Sequence, residues 1–281
     1  GNGGIATNTA FGASALSINV GGYNNTAIGV NALLSNTSGS FNTAIGNNTL
    51  YSNTTGGTNT AIGISTLYSN TTGTSNTAIG NNTLYNNTTS SYNTAIGDGS
   101  LYSNTSGNDN TAIGDGSLQG NTTGNYNTAI GHLSLYSNQT GSYNIGIGSQ
   151  AGVYRVSFLG ATNSNNSIFI GSDTTSGATT SNATNEIVIG HSAAGNGSNT
   201  ITLGNNSIVT TYLKGNVQLP TVPTTSAGTY SILTRNDITG EVEKIVVTPY
   251  KVYTALLTQS GTASPTAIVL ENTLGQTITW S

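Results

Sequence analysis

Apolar and polar positions recur along most of the chain in one fixed phrase. The pentapeptide Asn-Thr-Ala-Ile-Gly begins at Asn25, Asn42, Asn59, Asn76, Asn93, Asn110 and Asn127, always 17 residues apart. Two variants extend the array in phase, Asn8-Thr-Ala-Phe-Gly12 before it and Asn144-Ile-Gly-Ile-Gly148 after it. Stacked coils demand this kind of invariance, because one inserted residue would push every later side chain off its ladder. A representative unit runs from Asn42 to Thr58 and predicts two short strand-like pieces, Thr43–Ile45 and Thr49–Ser52. Asn- and Gly-rich corners, where positive φ and Asx-turns are cheap, separate them. No stretch shows helical i, i+3, i+4 spacing, and Thr and Asn are poor helix formers. The period suits one flattened coil better than a helical repeat, which takes roughly 30 residues or more. The expectation is an all-β, parallel β-solenoid (β-roll) of 17-residue coils, followed by a small β domain.

Coils stacked about 4.8 Å apart turn equivalent residues into ladders. Ile28, Ile45, Ile62, Ile79, Ile96, Ile113 and Ile130 form one, and Leu33, Leu50, Leu67, Leu84, Leu101, Leu118 and Leu135 a second. Tyr51, Tyr68, Tyr85, Tyr102 and Tyr136 form a third, interrupted by Gln119. Within a strand, Thr43 and Ile45 share one side and Asn42 and Ala44 the other. In later units the Thr column becomes Ile145, Ile168, Ile187 and Ile201. That exchange keeps the β-branched shape and loses polarity, which places the Thr/Ile side in a buried layer. One thin coil cannot enclose all the remaining apolar columns, so at least one ladder stays exposed and marks an interface. Association of parallel copies covers it, with three-fold closure the preferred symmetry.

Beyond Gly148 the closing glycines fall at Gly171, Gly190 and Gly204, and the strand cores become more apolar (Ile168-Phe-Ile170, Ile187-Val-Ile189, Ile201-Thr-Leu203). A regular shaft over 1–152 is therefore expected to continue as an irregular solenoid over 153–217, with a loop extruded at Ser172–Thr184 and closure at Tyr212–Val217. From Gln218 prolines and charges concentrate, and 218–281 reads as a linker (Leu219–Ala227) and a C-terminal β domain. Tyr230–Arg235 and Glu241–Val247 flank Asn236–Gly240 as a β-hairpin. Lys251–Thr258 and Thr266–Leu270 are further strands, and Ile278–Trp280 reads as a strand cut short, so that domain is expected to be incomplete.

Composition narrows the function classes. Charged residues make up 5% of the chain and the formal net charge is −4, which disfavours electrostatic binding of nucleic acid. No apolar run approaches the ~20 residues that span a bilayer, and no membrane insertion of this segment is expected. Cysteine is absent, which removes disulfides and thiolate chemistry. The chain begins within a repeat and lacks methionine, so it reads as a piece of a longer or processed protein.

The recurring Asn-Thr-Ala-Ile-Gly, with its small-residue turn, resembles the left-handed parallel β-roll of trimeric autotransporter adhesin heads; related repeats occur in phage tail-fibre proteins. The 14-residue step from Gly190 to Gly204 matches the usual unit of such heads, whereas the 17-residue units are longer. Asn199–Gly204 through Tyr212-Leu-Lys-Gly215 looks like the end of many tail-fibre shafts. Tyr253–Gly261 with Val269–Leu274 is similar to modules in phage virion proteins. The resemblance implies left-handedness and a homotrimeric fibre used in attachment, partnered by other virion or fibre components and a host cell-surface receptor such as a polysaccharide. Its expected location is the virion, with the bacterial cell surface as the alternative.

Candidate chemistry is sparse. His132 and His191 each follow a closing Gly and read as turn substituents. Asp98 and Asp115 occupy one column in adjacent coils, so their carboxylates approach to about 5 Å and form a candidate calcium pair, with Asp109 as a nearby third. The Asn-x-Ser/Thr sequences at Asn36, Asn53, Asn70, Asn87, Asn104 and Asn121 follow from a repeat built of Asn and Thr. Ice binding wants two outward Thr on one strand, whereas Thr and Ile share the side placed inward here, and Thr54 and Thr55 point apart. The Tyr ladder fits interchain packing better than a sugar-binding stripe. A depolymerase lacks a carboxylate pair on a repeated face. A non-enzymatic fibre segment with no cofactor is expected.

Overall fold

A computed structural model of the chain describes residues 7–153, 163–177 and 183–208, together with the backbone of five strands between 230 and 278. Two compact units are present, Gly1–Thr211 and Tyr212–Ser281. The first is an all-β parallel solenoid with one three-residue strand per coil: β1 (Thr9–Phe11), β2 (Thr26–Ile28), β3 (Thr43–Ile45), β4 (Thr60–Ile62), β5 (Thr77–Ile79), β6 (Thr94–Ile96), β7 (Thr111–Ile113), β8 (Thr128–Ile130), β9 (Ile145–Ile147), β10 (Ile168–Ile170), β11 (Ile187–Ile189) and β12 (Ile201–Leu203). These twelve form a single sheet in chain order. Register is exact to the repeat: Thr43 lies opposite Thr60, Ala44 opposite Ala61 and Ile45 opposite Ile62. It holds through the irregular coils, where Ile145, Ile168, Ile187 and Ile201 follow one another.

Inside and outside are the reverse of the expectation for the strands. Ala27, Ala44, Ala61, Ala78, Ala95, Ala112 and Ala129 are fully buried, and so are the Asn residues beginning each phrase. Thr43 is half-buried, and Ile28, Ile79, Ile96, Ile113 and Ile130 stand 36–38% exposed. The Leu ladder is inside and the Ile ladder is outside. The Thr-to-Ile exchange therefore occurs on an outward column. The cause is interior volume. A coil that seats Leu50 has room opposite for a methyl group but not for a second branched side chain, as the close packing of interiors requires.

The second expected strand, Thr49–Ser52, is a turn. Asn48 (φ 55°) and Leu50 (φ 50°) are both left-handed, and the Asn53 N–H donates to the Leu50 carbonyl at 3.2 Å. Left-handed φ costs a branched residue about 1–2 kcal/mol. Complete burial of the Leu side chain returns about 1.5–3 kcal/mol, so the turn is held by what it puts inside.

Polar atoms in the interior are satisfied by two asparagine ladders. Asn42 accepts the Asn59 backbone N–H at Oδ1 (3.0 Å) and donates from Nδ2 to Asn25 Oδ1 (3.2 Å). Across the coil, Asn53 donates to Asn36 Oδ1 (2.9 Å) and accepts from Asn70 (2.8 Å). Buried amides are tolerated because these side-chain atoms find partners within the coil or one coil away; Asn138 Oδ1, at the end of the second ladder, is the exception among the described residues.

The irregular coils trade volume between positions. Where a Leu would stand four residues after the closing glycine, Gly152 stands instead, and fully buried Phe169 fills the space; a Cβ on Gly152 would lie 2.9 Å from its Cδ2. Glu186 replaces an asparagine in the first ladder. It is fully buried and accepts from Ser176 Oγ (2.6 Å), Gly177 N (3.1 Å) and Gly197 N (2.8 Å).

In the second unit, β13 (Tyr230–Arg235) pairs antiparallel with β14 (Val242–Val247), Tyr230 facing Val247. β15 (Tyr253–Thr254), β16 (Leu270–Asn272) and β17 (Thr277–Ile278) form a three-stranded antiparallel sheet. The strand expected at Thr266–Leu270 thus begins where it was expected to end, at Leu270. The expected closure at Tyr212–Val217, the linker Leu219–Ala227 and the hairpin turn Asn236–Gly240 lie outside the described residues, as does part of the loop expected at Ser172–Thr184.

Candidate functional site

Three surfaces of the solenoid carry side chains that the fold itself does not consume. The first is the outer face of the sheet. Thr26, Thr43, Thr60, Thr77, Thr94, Thr111 and Thr128 form one outward column, continued by Ile145, Ile168, Ile187 and Ile201. Beside it the Ile column continues as Ile147, Ile170 and Ile189, all 37–39% exposed. Parallel register keeps both columns straight, so the face is a long apolar stripe edged by hydroxyls.

The second is the tyrosine ladder. Tyr51, Tyr68, Tyr85 and Tyr102 stack with centroids 5.0–5.3 Å apart and planes within 10°. All four are half-buried. Tyr136, beyond Gln119, is 39% exposed. Since each ring covers the faces of its neighbours, mainly the ring edges remain available.

The third surface was not singled out from the sequence. The residue preceding each repeat asparagine sits at a left-handed corner: Asn24, Phe41, Thr58, Ser75, Tyr92, Asp109, Tyr126 and Tyr143 all have φ between 55° and 62°. Phe41, Tyr92, Tyr126 and Tyr143 are 51–63% exposed, and Asp109 is exposed as well. Tyr126 and Tyr143 stack at 4.9 Å with planes 12° apart. The available signal was the alternation of aromatic with Asn, Thr, Ser and Asp in one column; the irregular order of residue types hid it.

The remaining candidates separate. Asp98 and Asp115 are both exposed in one column, and the Gly116 N–H donates to the Asp98 carbonyl at 2.9 Å. Asp109 is not with them: it lies two residues before β7, whereas Asp115 lies two residues after it. Among the described residues no group of three or more His, Cys, Asp or Glu side chains converges. His132 is exposed in the next coil of the Asp98 column. His191 Nδ1 lies 2.8 Å from Ser172 Oγ, and Nε2 lies 3.4 Å from Ser192 Oγ, all on an exposed turn that encloses no reacting group. The six Asn-x-Ser/Thr asparagines are fully buried in the second ladder, which leaves their amides inaccessible to glycosylation.

No family model matches the chain, and no curated protein or solved structure resembles it.

Proposed function

We propose that this chain is a non-enzymatic structural segment of a phage tail fibre, a rigid spacer in host attachment that works as a homotrimer of parallel copies. The observation that carries the reading is the outward Ile stripe from Ile28 to Ile189, straight over the length of the sheet and beyond what one chain covers. Contiguous apolar surface of this kind is what interfaces bury. Because the described coils contain no Lys or Arg, copies pack through this face without stranding a buried ion pair. Stiffness follows from the continuous backbone ladder and the two amide ladders, which tie every coil to the next. The same architecture serves the head of a trimeric bacterial surface adhesin; a membrane-anchoring domain downstream would identify that setting, and tail or baseplate neighbours the fibre.

The deciding experiment is the solution mass by light scattering over a dilution series. A stable mass near three times 28.3 kDa supports the fibre, and a monomer sinks it. One observation favours a second reading, ice binding: the Thr column faces outward beside Ile, not inward as expected from sequence. Thermal hysteresis in a monomeric preparation would support that reading.

A further inference from the structure

The corner column of exposed aromatics is not explained by folding. Coils with Asn24, Thr58 or Ser75 at this corner adopt the same left-handed backbone as coils with Phe41, Tyr92, Tyr126 or Tyr143. A bulky residue at positive φ is an outlier that Asn or Gly would relieve, and these side chains leave 51–63% of their surface exposed. Strain kept at a mostly exposed ring points to a surface role.

The column order leaves a gap in the aromatic edge. The Tyr126 ring is stacked on Tyr143 with nearly parallel planes, so Tyr143 covers one of its faces. On its other side the column holds Asp109, which carries no ring, and the next aromatic is Tyr92, two coils or about 9.6 Å from Tyr126. Exposed Tyr92 and Tyr126 thus flank the exposed Asp109 along one corner of the solenoid.

We propose that this edge, Tyr92–Asp109–Tyr126, binds a neutral glycan chain. A pyranose ring lays its C–H face on an aromatic face and donates a hydroxyl to the carboxylate; that combination of apolar plane and acceptor is present here. A neutral glycan suits this edge better than an acidic one, because the exposed Asp109 carboxylate repels a carboxylate or sulfate. The inference deepens the attachment reading by naming a receptor class, and it rests on that reading only for its biological setting.

The test titrates the purified full chain with cellohexaose, chitohexaose, maltohexaose and mannohexaose, reading calorimetric heats. Saturable binding of at least one hexasaccharide is expected. Tyr126→Asn and Asp109→Ala should each weaken it about tenfold or more, while Ile64→Asn, at the far end of the strand, leaves it unchanged. Tyr126→Asn places a residue this corner already accepts at Asn24, so a folding defect is not expected; its melting curve checks this. Absence of saturable binding by all four sugars overturns the proposal, as does equal binding by Tyr126→Asn. A changed solution mass in that variant also overturns it, by assigning the edge to contact between copies. A three-chain mass without sugar binding sinks only this inference, and a sugar-binding monomer sinks only the fibre.

Discussion

Asn42 and Asn53, on different walls of one coil, both donate through Nδ2 to a single carbonyl, that of Gly56, at 2.9 Å each. The pattern repeats: Asn59 and Asn70 meet at the Gly73 carbonyl, and Asn110 and Asn121 at Gly124. Each coil is thereby closed from within by a three-way junction, while the Oδ1 atoms tie it to its neighbours. A glycine suits this position because a Cβ on Gly56 would crowd Asn53 Oδ1 and the Gly73 carbonyl. Within the regular 17-residue coils Ser90 substitutes for the glycine, and its hydroxyl turns to Asn87 Oδ1 while accepting from Asn104 at 2.9 Å.

Removing one amide orphans a buried oxygen and takes a bond from two further buried groups. Asn70 bonds Asn53 Oδ1, the Gly73 carbonyl and Asn87 Nδ2. Asn70→Ala should cost about 3 kcal/mol, read as a shifted urea midpoint. Asn70→Asp should cost more at neutral pH, because a carboxylate oxygen would then face two acceptors. The buried, unpaired carboxyl has a raised pKa in the folded state. Acidification of that variant should therefore recover stability as pH falls through the folded pKa, and the recovery is complete below the unfolded value of about 3.9.

Two glycines six residues apart should respond very differently to alanine. Gly63 sits at φ +137°, and a Cβ there would overlap the Gly80 carbonyl and approach its carbon at 2.7 Å. Gly63→Ala should destabilise the solenoid by several kcal/mol, on the order of 3 or more. Gly56 is followed by Gly57, whose nearest obstacle is the Ser40 carbonyl oxygen at 3.0 Å and whose column elsewhere holds Tyr23, Ser40, Thr74 and Ser91. Gly57→Ala should melt within a degree or two of the parent in differential scanning calorimetry, about 0.5 kcal/mol either way.

Charging the outer stripe separates assembly from folding. Ile79 and Ile113 are 36–37% exposed on the chain. The double variant Ile79→Lys, Ile113→Lys should keep its circular-dichroism melt yet lose the high-mass species in light scattering, since it places like charges on the face where copies meet. Unchanged mass would move the interface elsewhere.

Phe169 carries the irregular coils. It is fully buried against Gly152 and stands where the Leu ladder has ended. Phe169→Ala should cost about 3–5 kcal/mol. The loss should centre on β9–β11, and hydrogen exchange should rise at Ile145–Ile189 well before the coils around Tyr51–Tyr102.

The period, the register, the strand at every Thr-Ala-Ile and the turn-forming glycines were legible in the sequence. Each depends on a strict repeat, and a repeat of 17 that stacks leaves one way to align its residues. The Leu and Tyr ladders followed from the same arithmetic. Which side of the strand faces inward was not legible: alternation sorts Thr43 and Ile45 from Asn42 and Ala44 but is symmetric about the strand plane. Only the tertiary structure decided that Ala44 faces in, because the turn through Asn48 and Leu50 delivers a leucine across the coil and leaves space for a methyl group alone. It also decided the role of the asparagines. In the sequence Asn42 reads as lying on the strand side opposite Thr43 and Ile45, away from the layer expected to be buried; stacking supplies Asn42 and Asn53 with partners 17 residues away, and a polar side chain that would be costly to bury alone becomes the bond that closes the coil.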